Sequence, residues 1–191
     1  MVRILVFSGS IRSGSFNTRL AAAAAAELAR MDADVSLISL ADYPLPLYDG
    51  DLEAGSGIPE NALKLKRQFC AHHGVFIAGP EYNAGMTPLL KNAIDWVSRV
   101  KEAGEKPLSA YRGRVFALGS ASPGSYGGMR SQIATRQVLE MGCGALVIPE
   151  ACAVAAAHQA FDDEGHLKDE RALGMLTACC ASLIDKARSF S

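Results

Sequence analysis

The stretch GSIRSGSFNTRL, residues 9 to 20, sets an arginine, several hydroxyls and an amide between a β-branched run and a run of alanines. Side chains of these types at the start of a helix hold anions. The first turn leaves backbone N–H groups unpaired, and the helix dipole favours negative charge there. Gly9 and Gly14 are spaced as in a Walker A loop, but Ser15-Phe16 stands where Lys-Ser/Thr would have to reach β and γ phosphates and magnesium. The dinucleotide pattern GxGxxG fails as well, because Ile11 occupies the position where backbone must approach a pyrophosphate. What remains are the hydroxyls of Ser10, Ser13, Ser15 and Thr18, the amide of Asn17 and the forked donor Arg12, a set suited to one phosphate monoester. A capped strand-to-helix turn with a solvated arginine would look similar, so the other loops decide.

Two of them are unusual. GPEYNAGMTP, residues 79 to 88, must turn at Glu81-Tyr82-Asn83 before Gly85. Such a turn presents several N–H groups at once, as the acceptor-rich, pyrimidine-like edge of a flavin requires. Asn83 adds a donor and an acceptor, and Tyr82 offers an aromatic surface to a planar ligand or to a neighbouring subunit. Glu81 reads as a structural ion-pair partner and not as a general acid. SASPGSYGGMR, residues 120 to 130, has three glycines that let backbone lie against a flat ligand, with the Ser122 hydroxyl at its start.

The elements that carry these loops are legible as short apolar runs, VRILVF, DVSLISL, GVFIAG, RVFALG and ALVIP, separated by crossover-sized segments of helical period. Five strands alternating with helices predict a parallel sheet covered on both faces, whose ligands sit beyond the carboxyl ends of the strands. The alanine run, entered at Ser15 or Asn17, reads as the first helix. Thr87-Pro88 starts another, with Leu90, Ala93, Ile94 and Val97 on its apolar face. A third carries Ile133, Ala134, Val138 and Met141 as far as Gly142, and the last carries Leu173, Leu176, Cys180, Leu183, Ile184 and Ala187. Tyr43 to Pro59 reads as a long surface loop. FDDEGHLKD, residues 161 to 169, reads as a turn, since its acids lack the ligand spacing of a calcium loop.

At 191 residues, 20% charged with a formal net charge of -1, the chain fits one domain over 1–191 and shows no broad field for nucleic acid or membranes. No stretch reads as a signal peptide or membrane span, and five cysteines without a CxxC suit reduced thiols, so a cytoplasmic protein with small-molecule partners is expected. No metal cluster is expected: His72-His73 precede the third strand, and His158 and His166 fall in surface or loop positions.

The sequence strongly resembles the NADPH-dependent FMN reductase family of flavodoxin-like proteins, which includes quinone, chromate and azo-dye reductases. GSIRSGSFN, GPEYNAGMTPLLKNAIDW and SPGSYGGMR carry the resemblance, in order, at the ends of the first, third and fourth strands. It implies an α/β, flavodoxin-like three-layer sandwich with a five-stranded parallel sheet in the order 2-1-3-4-5. It also implies a noncovalent FMN, with phosphate on Ser10, Arg12, Ser15, Phe16 and Asn17, and with the ring against Pro80, Glu81, Tyr82 and Asn83 beside Ser122 and Gly127. A single phosphate favours FMN over FAD. The expected activity is hydride transfer from NAD(P)H through FMN to quinones, azo dyes, chromate or free flavin, by a homodimer or homotetramer. The competing readings are a flavodoxin-type electron carrier, disfavoured by Arg12 and the balanced charge, and a non-catalytic FMN-binding regulator.

Overall fold

The computed structural model describes residues 1–190. In chain order the elements are β1 (Arg3–Ser8), α1 (Phe16–Arg30), β2 (Asp34–Ile38), a 3-10 turn (Leu40–Asp42), α2 (Gly50–Ser56), α3 (Glu60–Ala71), β3 (Gly74–Ala78) and α4 (Pro88–Arg99). They continue with β4 (Val115–Ala121), α5 (Met129–Gln137), a π turn (Val138–Gly142), β5 (Leu146–Val154), α6 (Ala157–Ala160) and α7 (Glu170–Arg188). All strand pairs are parallel and the order is β2-β1-β3-β4-β5. Of the three inner strands, β3 and β4 are buried along their whole length, which is why their sequences are nearly unbroken apolar runs.

Alternate residues of each strand feed two cores. Ile4, Val6, Phe76, Val115 and Ala117 pack against α1 and α7, while Leu5, Phe7, Val75, Ile77, Phe116 and Leu118 pack against α3 and α4. The alanines of α1 let that helix lie close to the sheet, with Ala21 and Ala24 buried beside Leu20 and Leu28. Gly119 is required in β4, since a Cβ there would stand 2.7 Å from the ring of Phe76.

Three local readings of the sequence need correction. First, α5 leaves Ile133 61% exposed, and Met141, in the π turn that follows it, is 82% exposed; the inner face of α5 is Ser131, Gln132 and Thr135. Second, residues 43 to 59 are not simply a surface loop. Asp49 caps α2, and the Pro46 carbonyl accepts hydrogen bonds from Trp96 Nε1 (2.7 Å) and Asn92 Nδ2 (2.9 Å). Third, β5 runs through Pro149 to Val154, with a register shift opposite Phe116/Leu118, so the proline marks a bulge on an edge strand and not its end. His72, moreover, is buried, its ring nitrogens paired with the Gln68 carbonyl and Ser36 Oγ.

Candidate functional site

The loops after β1, β3 and β4 converge at the carboxyl edge of the sheet, where β1 and β3 part company in chain order. Each begins from a strand fixed by its neighbours. Gly9 N–H continues the ladder to the Ala78 carbonyl and Gly79 N–H to the Gly119 carbonyl, both at 2.8 Å. A Cβ on Gly9 would meet Leu90 at 3.2 Å and Pro80 at 3.4 Å, so its lack of a side chain lets the first loop leave the sheet against the second.

The first loop is a helix entrance held by its own hydroxyls. Ser10 N–H donates to Ser8 Oγ, Arg12 N–H to Ser10 Oγ, and Asn17 N–H to Ser15 Oγ, making Ser15 the N-cap of α1. Among the described residues, the N–H groups of Ser13, Gly14 and Phe16 have no partner within the chain. Free N–H groups at a helix entrance suit an anion, and exposed Arg12 in the same loop, whose Nη1 donates only to the Ser13 carbonyl, has donors to spare.

Asn17 ties the first loop to the end of β4. Its Nδ2 donates to the Ala121 carbonyl (2.8 Å) and its Oδ1 accepts from Ala121 N–H (2.9 Å), so the side chain is committed to the end of β4. It brings two loops together and also lines the cleft between them. Thr87 makes a second tie: it caps α4 and donates from Oγ1 to the Gly9 carbonyl at 2.7 Å. Glu81 makes a third, pairing with the Arg130 guanidinium and accepting Arg130 N–H at 3.2 Å. The expected ion-pair role of Glu81 therefore has a partner the sequence did not name. Ser120 Oγ donates to the Gly127 carbonyl and accepts from Gln132 Nε2, which explains the polar inner face of α5: it holds the turn of the third loop.

The second loop closes in a tight turn, with paired hydrogen bonds between Tyr82 and Gly85 and both central residues left-handed, Asn83 at φ 49° and Ala84 at φ 65°. That geometry leaves Tyr82 half exposed at the rim. Ser10, Arg12, Ser15, Phe16, Asn17, Pro80, Glu81, Tyr82 and Ser122 line one open cleft, whose inner part measures about 130 Å³, together with Ala121 and Pro123. Asn83 and Gly127 lie outside that lining: Asn83 is exposed at the turn and Gly127 is buried under the third loop against the backbone of Ala153 to Ala155. Ala121 and Pro123 carried no chemical signal in the sequence beyond adjacency to Ser122. Among the described residues, no group of three His, Cys, Asp or Glu side chains could hold a metal ion. The donor set fits a phosphate monoester next to a flat wall of small residues and backbone, as an FMN site needs.

A parallel sheet of this order, with its ligand-facing loops at the β1/β3 edge, defines a flavodoxin-like protein. Residues 2–159 match the sequence model of the NADPH-dependent FMN reductase family, and the chain belongs to that family. An NAD(P)H-dependent FMN reductase of Pseudomonas aeruginosa is 36% identical over 173 residues, 90% of this chain and 87% of that protein. A quinone reductase of Escherichia coli strain K12 is 36% identical over 139 residues, 72% of this chain and 69% of that protein. Among solved structures, a flavoenzyme NAD(P)H:(acceptor) oxidoreductase from Paracoccus denitrificans superposes with a TM-score of 0.78 at 26% identity, covering 100% of this chain and 99% of that one.

Proposed function

We propose that this chain, acting as one FMN-binding unit over residues 1–191, is an NAD(P)H oxidoreductase that reduces quinones and related acceptors such as azo dyes, chromate and free flavin. The observation that carries the reading is the anion seat at α1, with unpaired N–H groups and Arg12, tied rigidly to a backbone wall for a flat ring. Arg12, the Ser10 hydroxyl and the N–H groups of Ser13, Gly14 and Phe16 would hold the phosphate. Pro80, Tyr82, Ser122 and the turn at Asn83 would seat the ring, and Glu81 with Arg130 would fix the distance between its two walls. FMN held there would supply the redox chemistry between NAD(P)H and the acceptor. The protein's own task is orientation, holding donor and ring within roughly 3 to 3.5 Å, and it requires no dedicated acid, base or metal.

An open cleft serves donor and acceptor in turn, so the kinetics should be ping-pong. The deciding experiment mixes the yellow protein anaerobically with NADH or NADPH and then measures steady-state oxidation across quinone, azo dye, chromate and free flavin. Bleaching of the flavin followed by parallel initial-rate lines is expected. A flavin spectrum that persists, or bleaches only with a partner reductase, overturns the assignment in favour of a regulator or an electron carrier.

A homodimer or homotetramer agrees with the surface. An apolar groove of about 880 Å³ runs between α4 and α5, lined by Met86, Leu108, Val138 and Met141. Among the described residues no helix is long and apolar enough to cross a membrane. All five cysteines are free, in keeping with a reducing compartment such as the cytoplasm.

A further inference from the structure

The cleft must admit a second molecule beside the flavin, and a nicotinamide dinucleotide brings a pyrophosphate with it. A guanidinium is the matching group for phosphate oxygens. The loops that follow β1, β3 and β4 contain one arginine and no lysine, Arg12, and the entrance of α1 gives that residue to the FMN phosphate. Arg19, in the first turn of α1, has its guanidinium over the Phe16 ring at 5.9 Å, and Lys91, in the first turn of α4, is held by both oxygens of Asp95 at 2.8 Å. A further cation joins the second and third loops: Arg130, the second residue of α5.

Arg130 is fixed from two sides and still has donors to give. Its Nη2 pairs with Oε1 of Glu81, a carboxylate that lines the cleft with its side chain only 10% exposed, and its backbone N–H donates to Glu81 Oε2 at 3.2 Å. Its Cζ stands 5.3 Å from the centre of the Tyr126 ring on the third loop. The Arg130 side chain nevertheless remains 53% exposed, and among the described residues its Nε and Nη1 have no partner. A planar fork already oriented by a carboxylate and a ring loses little freedom when it takes a phosphate.

We propose that Arg130 binds the pyrophosphate of the nicotinamide donor, so that the donor leaves the flavin over the rim formed by the second and third loops and away from the phosphate seat of the first. The inference rests on the function proposed above and adds to it a residue that selects the second substrate by its charge. Glu81 then acts in two opposed ways. Its carboxylate orients the fork, and the same negative charge repels the incoming phosphates, so Glu81 holds the affinity for the donor below what the guanidinium alone would give.

The test follows the two half-reactions of the FMN-loaded protein separately by stopped flow, with every variant compared at full flavin occupancy. Arg130→Gln should raise the Kd for NADH and NADPH in flavin reduction roughly tenfold, the loss of a charge-assisted contact, and should flatten the dependence of that Kd on salt. Arg130→Lys, which keeps the charge without the fork, should fall between. Reoxidation of the reduced flavin by a neutral quinone should suffer much less than reduction by the donor. Glu81→Gln separates binding from scaffolding. If Arg130 merely ties the loops together, Glu81→Gln breaks the same tie and weakens the donor as Arg130→Gln does. If the guanidinium takes the pyrophosphate, Glu81→Gln removes a competing carboxylate and the donor binds more tightly. Parallel weakening in both variants, or an unchanged Kd in Arg130→Gln, overturns the assignment. Calorimetric titration with NAD⁺ and NADP⁺ reads the site without turnover. Arg130-dependent binding of these by a protein that oxidises neither donor would sink the proposed reaction and keep the site, whereas oxidation that does not depend on Arg130 would sink the site alone.

Discussion

At the scale of single residues, Arg12 and Asn17 show how two polar side chains five positions apart do opposite work. Arg12 is exposed and holds nothing essential to the chain, whereas Asn17 is 3% exposed and satisfies both backbone groups of Ala121. Arg12→Ala should therefore weaken FMN binding roughly ten- to a hundredfold, the loss of one charge-assisted contact, with unfolding free energy changed by no more than about 0.5 kcal/mol. Asn17→Ala leaves a buried N–H and C=O without partners and should cost roughly 2 to 4 kcal/mol in urea unfolding. Flavin content after dialysis and denaturation midpoints for the two variants check the pair. A stable Asn17→Ala protein, or an Arg12→Ala protein that keeps its flavin, would contradict this division of roles. The sequence displayed both residues as donors near a helix start. It could not show that the acceptor of one of them lies 104 positions away.

At the scale of elements, the strands, their order and the entrances to α1 and α4 were legible because each rests on a local signal: apolar runs, Ser15 as a cap, Thr87 followed by Pro88. What was not legible depends on neighbours. α5 was read from its apolar residues, yet it buries Ser131, Gln132 and Thr135, because the space beneath it is filled by the Ser120 hydroxyl and by the Cys152 carbonyl, which Gln132 Nε2 reaches at 2.9 Å. Polar groups inside leave Met129, Ile133 and Met141 outside, an inversion that makes sense if another surface covers them. Ile133→Glu should thus lower the molecular mass measured by light scattering after gel filtration, with flavin spectrum and monomer fold retained. An unchanged mass would take the outer face of α5 out of any subunit contact. The stretch 43 to 59 misled for a related reason. Its prolines and glycines signal irregular backbone, but the carbonyl of Pro46 is an anchor for Trp96, a side chain fully buried in a small cluster with Tyr48 packed edge-on.

At the scale of the whole molecule, charge and thiols are arranged to leave the site undisturbed. Lys66, 1% exposed, is held by Glu102 and Glu105; burial alone would lower its pKa, but the two carboxylates raise it, keeping the ammonium charged beneath the 101 to 106 loop. Burial pushes the Cys143 thiol up to about 11 and those of Cys152 and Cys179 up to about 12, which keeps them protonated and unreactive. At the amino-terminal edge of the sheet, burial, with Arg3 and His72 adding, holds the His73 imidazole below the usual histidine range while its Nδ1 accepts Arg3 N–H at 3.1 Å. The unfolded chain then binds the proton more readily than the folded one. Stability from this group is present above about pH 6.5 and is lost as pH falls through that value toward the lower folded pKa. Thermal midpoints should decline from about pH 7.5 to about pH 5 and decline less in His73→Asn, which keeps an acceptor but does not titrate; equal slopes would exclude His73 as the cause. A last consequence follows from Pro149 in the outermost strand. An open edge of unpaired backbone N–H and C=O groups invites another chain to add a strand, and a residue without an N–H, set in a bulge, interrupts that template at its middle. The other edge, β2, is only five residues long. Neither margin of the sheet offers a long, regular strand for aggregation to extend.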